Sequence, residues 1–236
     1  ADFLVTYDTS GAAAKKIKVG ATGAAKGWNE VSETWTYASA NTITVPTDAT
    51  TKYQKGMGIR WKQGGSYKYA YITIVAATLL TVTGGTDYTV ANSAITDIAY
   101  TLTPTTAVGF PVRFTCAAPT WSTATIDNGT GGQQPTAGST SFVIRGNKVE
   151  LLVPLGSSGA IKNGAGATLT VSAIPATLPN IVAPTAGVLG YGLIATVNYL
   201  AIVYYASATS FSVLSSSSIA DNASIAYTSL RVEYTY

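Results

Sequence analysis

The stretch from Asn163 to Ala220 contains no charged residue and consists mainly of Ala, Val, Leu, Ile, Tyr, Ser, Thr and Gly. A membrane-spanning helix needs about 20 predominantly apolar residues without strong breakers. The best candidate window, residues 187–206, contains three glycines, Asn198 and four tyrosines. Its β-branched and aromatic residues favour strands. We therefore expect this run to fold in water by burying strand faces in a β-sandwich core, and also against copies of itself.

Charge is the property in which the 236-residue chain departs most from an ordinary domain. Asp, Glu, Lys and Arg make up 11% of the residues, against about 25% in a typical domain, while apolar residues make up 47%. Disorder needs few apolar residues and high net charge, so the composition indicates a rigid β protein with a hydroxyl-rich surface. The net charge of +3 comes from scattered lysines. Because no dense basic stripe is present, we expect no nucleic-acid partner, and we expect no membrane insertion.

Strand patterns divide the chain into three parts. Residues 1–27 form an N-terminal linker or anchor segment with two short strands, too small for a core of its own. Residues 28–111 contain short alternating runs separated by glycine turns, which predicts a small antiparallel β-barrel or roll. These runs are Trp35–Tyr37, Thr42–Val45, Gly58–Gln63, Tyr67–Val75 and Leu80–Thr83. Pro104, Gly109 and Pro111 indicate the boundary that ends this module.

Residues 112–236 are predicted to form a C-terminal β-sandwich head domain. Its clearest element is a hairpin in which Gly146-Asn147 separates two apolar runs, and glycine at the first central position favours a type II′ turn. Further strands are predicted at Thr168–Ala173, Leu193–Tyr199, Ala201–Tyr205, Ser210–Leu214 and Tyr227–Tyr236. No window combines helix caps with a sustained period of 3.6 residues, so we expect very little helix.

The residue types exclude several kinds of catalytic and metal site. The chain has no histidine and one cysteine, which excludes Ser-His-Asp and Cys-His centres, the common zinc sites and an intrachain disulfide. Cys116 is expected at a buried strand position. No glycine-rich loop leads into a Lys-Ser/Thr helix, and no cluster of oxygen ligands suits calcium. We therefore expect no cofactor, no bound metal and no catalytic residue.

Paired carboxylates are the remaining enzymatic alternative, because two acids can hydrolyse a glycan. Each acidic residue stands singly beside turn-forming residues or on an alternating strand, as solvated carboxylates usually do. The candidates are Glu30, Glu33, Asp48, Asp87, Asp97, Asp127, Glu150, Asp221 and Glu233. Asp87, which follows a Gly-Gly pair, is expected to hydrogen-bond within its turn.

Aromatic side chains provide the candidate ligand contacts. Tyr67, Tyr69 and Tyr71 share one face of a predicted strand, and Trp61 lies on the neighbouring strand. Such a platform can stack on a sugar ring while nearby hydroxyl groups fix its orientation. The alternative is that these four rings form the core of the small module. The roles of Tyr204, Tyr205, Tyr234 and Tyr236 are likewise open between core, trimer interface and ligand surface.

Three sets of segments carry distinctive residue patterns. The first is residues 51–63 (TKYQKGMGIRWKQ), continuing through residues 68–69 (KY), 72–74 (ITI) and 83–96 (TGGTDYTVANSAIT) to residues 109–111 (GFP). This pattern is similar to a module of fibre-like and minor structural proteins of tailed bacteriophages. Residues 2–8 (DFLVTYD) with 15–18 (KKIK) look like fibre linkers, and residues 144–149 (IRGNKV) with 230–234 (LRVEY) resemble jelly-roll fibre tips. The resemblance implies virion location, homotrimerisation and attachment to a host surface.

Together these patterns predict an all-β protein: a linker, a small barrel or roll, and a jelly-roll-like sandwich, assembled as a trimer. The leading hypothesis is a non-enzymatic phage virion fibre protein that binds host surface polysaccharide and contacts other virion proteins through residues 1–27. The main alternative is a capsid-anchored fibre or decoration protein with a structural role. A carbohydrate-active enzyme and a bacterial surface adhesin are weaker alternatives.

Overall fold

The structure is a computed structural model that describes residues 3–6, 15–18, 26–121, 136–137, 140–156, 168–195, 199–215 and 226–236. These residues form twenty β-strands and short 3₁₀ turns, among them Ala49–Thr51 and Pro104–Thr106, and no α-helix occurs within the described ranges. The prediction of an all-β fold with very little helix is confirmed. The strands form two large antiparallel sheets and two small two-stranded pairs.

The N-terminal segment contains an antiparallel pair of strands, β1 (Phe3–Thr6) and β2 (Lys15–Lys18). Their register places Phe3 opposite Lys18 and Thr6 opposite Lys15. The two short strands predicted within residues 1–27 are therefore present. An isolated pair of this size is marginally stable in water, so this segment depends on further contacts.

The first large sheet has seven strands and curls into an open half-barrel. Its strands are β3 (Asn29–Glu30), β4 (Thr36–Ser39), β5 (Thr42–Thr44), β6 (Gly58–Gln63), β7 (Ser66–Ala76), β8 (Leu79–Thr83) and β9 (Thr96–Thr101), in the order β3-β9-β6-β7-β8-β5-β4. In a flat sheet, the end strands β3 and β4 would lie about 29 Å apart. The chain from Glu30 to Thr36 spans at most about 21 Å, so the sheet has to curl.

The second large sheet has nine strands in the order β10-β13-β14-β20-β17-β18-β19-β16-β11. They are β10 (Phe114–Cys116), β11 (Thr120–Trp121), β13 (Thr140–Arg145), β14 (Lys148–Val153), β16 (Thr168–Ala173), β17 (Val188–Ala195), β18 (Tyr199–Ser207), β19 (Ser210–Ser215) and β20 (Ala226–Thr235). β12 (Thr136–Ala137) pairs separately with β15 (Leu155–Gly156). Strands β10 and β11 are at opposite ends of this sheet, yet Cys116 and Thr120 can be at most about 14 Å apart. The second sheet therefore curls back so that its two ends approach each other.

The predicted hairpin of the second sheet is confirmed in position and turn type. β13 and β14 pair from Ser141 opposite Leu152 to Arg145 opposite Lys148. Gly146 has φ +61 and Asn147 does not have a positive φ, as a type II′ turn requires. The predicted strand Leu193–Tyr199 is wrong as a single element. β17 ends at Ala195, β18 begins at Tyr199, and Ile194 pairs with Tyr199, so the chain reverses between them.

Both faces of β7 are buried at its centre, from Ala70 to Thr73, because the second sheet packs on the outside of the first. Ala70 and Ile72 lie in the core enclosed by the first sheet, whereas Tyr71 lies in a second core built mainly from the second sheet. The predicted boundary after residue 111 falls between β9 and β10, the strands that end one sheet and begin the next. The two modules nevertheless share the second core, to which the first module contributes Trp28, Tyr71 and Phe110.

Close backbone contacts hold the two sheets together. The Thr86 amide donates to the Thr115 carbonyl (2.8 Å), and the Thr115 amide donates to the Asp87 carboxylate (2.7 Å). Gly85, with φ +64, has no room for a side chain, because a Cβ would lie 1.9 Å from the Thr115 carbonyl oxygen. Asp87 therefore hydrogen-bonds to the other sheet, which its turn-like sequence context did not indicate.

The described part of the uncharged run contributes several side chains to the second core, while its other described residues are half-buried or exposed. Its buried side chains include Ile174, Leu178, Ile181, Leu189, Val203 and Phe211. Cys116 is a free, buried cysteine on β10, as predicted, and burial raises the pKa of its thiol to about 12. Tyr234 is also a core residue, and its hydroxyl donates to the Pro179 carbonyl (3.2 Å). Burial against further copies of the chain remains a prediction.

Candidate functional site

Two of the four predicted glycan-contact residues belong to the core. Trp61 is fully buried under the first sheet, where its Nε1 donates to Gln63 Oε1 (3.0 Å). Gln63 in turn donates to the carbonyls of Ala91 and Ser93 (2.8 and 3.0 Å), so the polar atoms of this pair are satisfied internally. The prediction that Trp61 contacts a ligand is wrong, because its face of β6 is closed by the curl of the sheet.

Tyr71 and Tyr69 connect the two sheets and are not a surface platform. Tyr71 is buried, its ring lies 5.0 Å from Phe110 and 5.3 Å from Phe114, and burial raises its pKa to about 12. Tyr69 is half-buried and its ring contacts Trp28, Tyr88 and Phe110. The prediction of a ligand contact is therefore wrong for Tyr71. The alternative in which these rings form core describes it correctly.

Tyr67, the fourth predicted residue, is 43% exposed and lies near the start of β7, beside the hairpin turn that joins β6 to β7. Its ring is stacked on the Arg60 guanidinium, whose Cζ lies 4.9 Å from the Tyr67 centroid and 4.9 Å from the Trp28 centroid. Arg60 is thus held between two aromatic rings, an arrangement worth about 0.5–2 kcal/mol per contact. Its Nε is buried without a hydrogen-bond partner. This stacking fixes the orientation of both the exposed ring and the cation.

A polar groove of about 360 Å³ lies beside the Tyr67 ring. It is lined by Glu30, Val31, Glu33, Arg60, Tyr67, Ile95, Thr96, Asp97 and Ile98. We refer to this site as the Tyr67 groove. It combines an aromatic ring face, guanidinium donors, a threonine hydroxyl and three carboxylates, which is the donor and acceptor set that hydroxyl-rich ligands need.

Glu33 is the most firmly positioned acid of the Tyr67 groove. Its carboxylate accepts hydrogen bonds from Lys52 Nζ (2.5 Å), Trp35 Nε1 (2.9 Å) and the Tyr53 hydroxyl (3.0 Å). Burial alone would raise the pKa of Glu33, but these hydrogen bonds and the Lys52 charge hold it below its ordinary value. Burial and the bond to Glu33 raise the pKa of Tyr53. Glu33 is therefore ionised at neutral pH and acts as a hydrogen-bond acceptor.

Asp97 reaches the Tyr67 groove through an irregularity in β9. Arg60 pairs with Ala99 but Lys62 pairs with Thr96, so β9 carries an extra residue at this point. Asp97 sits in this bulge with φ +48, the positive-φ region that residues with a Cβ rarely adopt. Its carboxylate lies 3.7 Å from Lys62 Nζ. Bulges and backbone outliers of this kind are frequent beside functional sites, where they re-aim a side chain.

Sequence reasoning identified Tyr67 and listed the three carboxylates, but it did not group them. Sequence reasoning did not predict a role for Arg60 in the site. The alternation of buried and exposed residues along β6 indicates only that Arg60 lies on the outer face of the sheet. Its cross-strand neighbour is Tyr69, and Lys62 pairs with Tyr67, so the sequence spacing alone does not place Arg60 under the Tyr67 ring. The Asp97 bulge has no sequence signal, because the segment contains no glycine.

A metal site and a membrane-spanning helix are both absent from the described ranges. These residues contain no group of three or more His, Cys, Asp or Glu side chains arranged to hold a metal ion. In the part of the chain that the structure describes, no helix is long and apolar enough to cross a membrane.

No family model matches the chain, and neither a curated protein nor a solved structure is significantly similar to it.

Proposed function

We propose that this chain is a bacteriophage virion fibre protein that attaches the virion to its host by binding a surface polysaccharide non-covalently. The observation that carries the proposal is the Tyr67 groove, in which an exposed, immobilised ring borders carboxylates and a guanidinium. A sugar ring stacks on the tyrosine face, while the acids accept hydrogen bonds from its hydroxyl groups and Arg60 donates to them. The sequence resemblance to phage fibre proteins supports the same assignment.

The charge balance of the groove favours a neutral, hydroxyl-rich sugar. Lys52 neutralises Glu33, and Lys62 lies beside Asp97. Glu30 is the remaining acid of the lining and Arg60 the remaining cation. A strongly charged ligand would meet repulsion from one member of each pair, whereas hydroxyl groups can both donate to carboxylates and accept from cations.

A homotrimer is part of the proposal, and so is the finer fold assignment of a barrel-like module followed by a jelly-roll-like head. Three linked grooves would convert weak individual sites into strong attachment through avidity. Residues 1–27 would connect the fibre to other virion proteins, since the β1–β2 pair is too small to be stable alone. Three chains of 24.3 kDa give about 73 kDa, which light scattering on a gel-filtration column distinguishes from a monomer.

Substitution of Tyr67 tests the role of the groove. Tyr67→Ala should weaken binding to purified host-wall polysaccharide by about 5- to 150-fold, taking the roughly 1–3 kcal/mol of base–aromatic stacking as the scale for a stacked sugar ring. Tyr67→Phe, which keeps the ring, should bind nearly as well. Ile74→Ala is the matched control, because Ile74 lies on the same strand, is 53% exposed and does not line the groove. Equal binding by Tyr67→Ala and the wild type would remove the groove from the proposal.

Virion experiments test attachment itself. Virions whose fibre carries Tyr67→Ala should adsorb to the host less well than wild-type virions, because the substitution removes the ring that borders the groove. Immuno-labelling should place the protein on the capsid or tail. If adsorption is unchanged, the capsid-anchored fibre or decoration role replaces attachment. Release of oligosaccharides from host polysaccharide by the purified protein would instead indicate an enzyme.

A further inference from the structure

The outer face of the second sheet carries three arginines around one carboxylate. Glu150 Oε1 accepts from Arg113 Nη1 (2.7 Å), and Oε2 accepts from Arg231 Nη2 (2.7 Å) and Arg145 Nη1 (3.5 Å). Glu150 itself is buried, since these side chains cover it. We refer to these four residues as the arginine patch. It lies on different strands from the Tyr67 groove and shares no residue with it.

The arginine patch carries two positive charges that nothing in the described part of the chain balances. The neighbouring pair of Lys148 and Glu233 (2.9 Å) is neutral as a unit. The side chains of Arg145 and Arg231 are 62% and 61% exposed, and each guanidinium has five N–H donors, most of which Glu150 does not use. Because both bond the same oxygen, the contacting nitrogens are at most about 6 Å apart. Glu150 Oε2 already lies between these two nitrogens, so an oxyanion from solvent would be held by the remaining, exposed N–H donors of the two guanidinium groups.

An exposed aromatic ring stands next to the patch on the same face. Tyr191 on β17 is the direct cross-strand partner of Arg231 on β20, and its side chain is 55% exposed. Directly opposed side chains have Cβ atoms about 4.5–5.5 Å apart, so the ring stands beside the base of the Arg231 side chain. The Arg231 guanidinium itself reaches to Glu150 on β14, the next strand of the sheet. The face thus presents an oxyanion site and a stacking surface side by side.

We propose that the arginine patch and Tyr191 bind an acidic saccharide, with its oxyanion between Arg145 and Arg231 and its sugar ring on Tyr191. The oxyanion is a carboxylate of a uronic acid or a phosphate of a sugar-phosphate polymer. This site is independent of the Tyr67 groove, which suits a neutral sugar. The two sites would let one chain contact two chemically different parts of a cell surface.

Calorimetric titration of the full chain with oligogalacturonate tests the proposal. The fully methyl-esterified oligomer is the matched ligand control, because it keeps the sugar and removes the charge. An oligomer of glycerol phosphate tests the phosphate source. We expect binding of at least one charged oligomer, weakened by added salt, and none of the methyl ester. Absence of binding by both charged oligomers, or equal binding of the methyl ester, would overturn the proposal.

Protein variants locate the site. Arg145→Gln, Arg231→Gln and Tyr191→Ala should each weaken binding by about tenfold or more, since charge-assisted hydrogen bonds and ring stacking are lost. Lys148→Gln, which removes an equally exposed cation from the same face, should change affinity less than threefold, roughly the effect of a screened surface charge. Arg145→Lys keeps the charge and should retain part of the affinity. If Lys148→Gln weakens binding as much as Arg145→Gln, non-specific attraction explains the result and the site is refuted.

Discussion

Replacing Phe114 by alanine tests whether the two sheets fold as one unit. The Phe114 side chain is fully buried where the sheets meet. Its ring lies 5.3 Å from Tyr71 and 5.4 Å from Phe110 on the first-sheet side, and it stacks on Phe142 of the second sheet at 5.7 Å. Removing a buried phenylalanine ring costs about 3–5 kcal/mol, through lost burial and the cavity that remains. That is a large share of the roughly 5–15 kcal/mol that stabilises a typical protein.

Tryptophan fluorescence during guanidinium unfolding makes this prediction specific. Trp28, Trp35 and Trp61 are buried in or against the first sheet. Phe114 and the fourth tryptophan, Trp121, lie on strands of the second sheet, so the fluorescence is recorded in a Trp121→Phe background. If the shared core couples the sheets, Phe114→Ala shifts the fluorescence transition to lower denaturant together with the circular dichroism transition. The midpoint should fall by about 1 M or less, and the melting temperature by about 6–20 °C.

The control for this experiment is Val112→Ala. Val112 lies two residues away and is 86% exposed, so its replacement should change stability by no more than about 0.5 kcal/mol. A fluorescence transition that stays in place in Phe114→Ala, while the circular dichroism transition shifts, would show that the first sheet unfolds independently. The reasoning about a shared core would then be wrong.

Three further outcomes follow from the structure. Gly85→Ala should destabilise the chain by about 1–3 kcal/mol more than Gly64→Ala, as measured by denaturant unfolding. Both glycines have a positive φ, but only Gly85 lies against the backbone of another segment. Equal losses of stability in the two variants would contradict this tight contact. Despite their burial, hydrogen bonds and neighbouring cations lower the folded-state pKa values of Glu33 and Glu150. Stability should therefore be complete above about pH 5 and fall as the pH drops below the unfolded-state value of about 4.3, and Glu33→Gln should flatten this dependence. Burial raises the pKa of Cys116 to about 12, so a thiol reagent at pH 8 should label it only in denaturant, and rapid labelling of the folded chain would contradict its burial.

Local sequence patterns were sufficient to predict strands in which apolar and polar side chains alternate, and hairpins whose turn contains a characteristic residue pair. The period-two run around Tyr69 predicts β7 and places its three tyrosines on one face. The Gly146-Asn147 pair predicts both the hairpin register and the type II′ turn, because glycine accepts positive φ without strain. The continuous apolar run after Leu193 carries no such alternation, and the predicted strand therefore crossed the point where β17 ends.

The sequence alone determined the all-β class and the burial of Cys116, since these depend on composition and local period. Only the tertiary structure decided which face of each strand meets water. β7 is covered on both sides because the second sheet packs on it, which makes Tyr71 core and leaves Tyr67 exposed. The tertiary structure also decided that Arg60 and Asp97 line one groove, because a bulge in β9 and the curl of the sheet bring the two residues together. Such proximity arises from contacts between residues distant in sequence, and no local pattern encodes it.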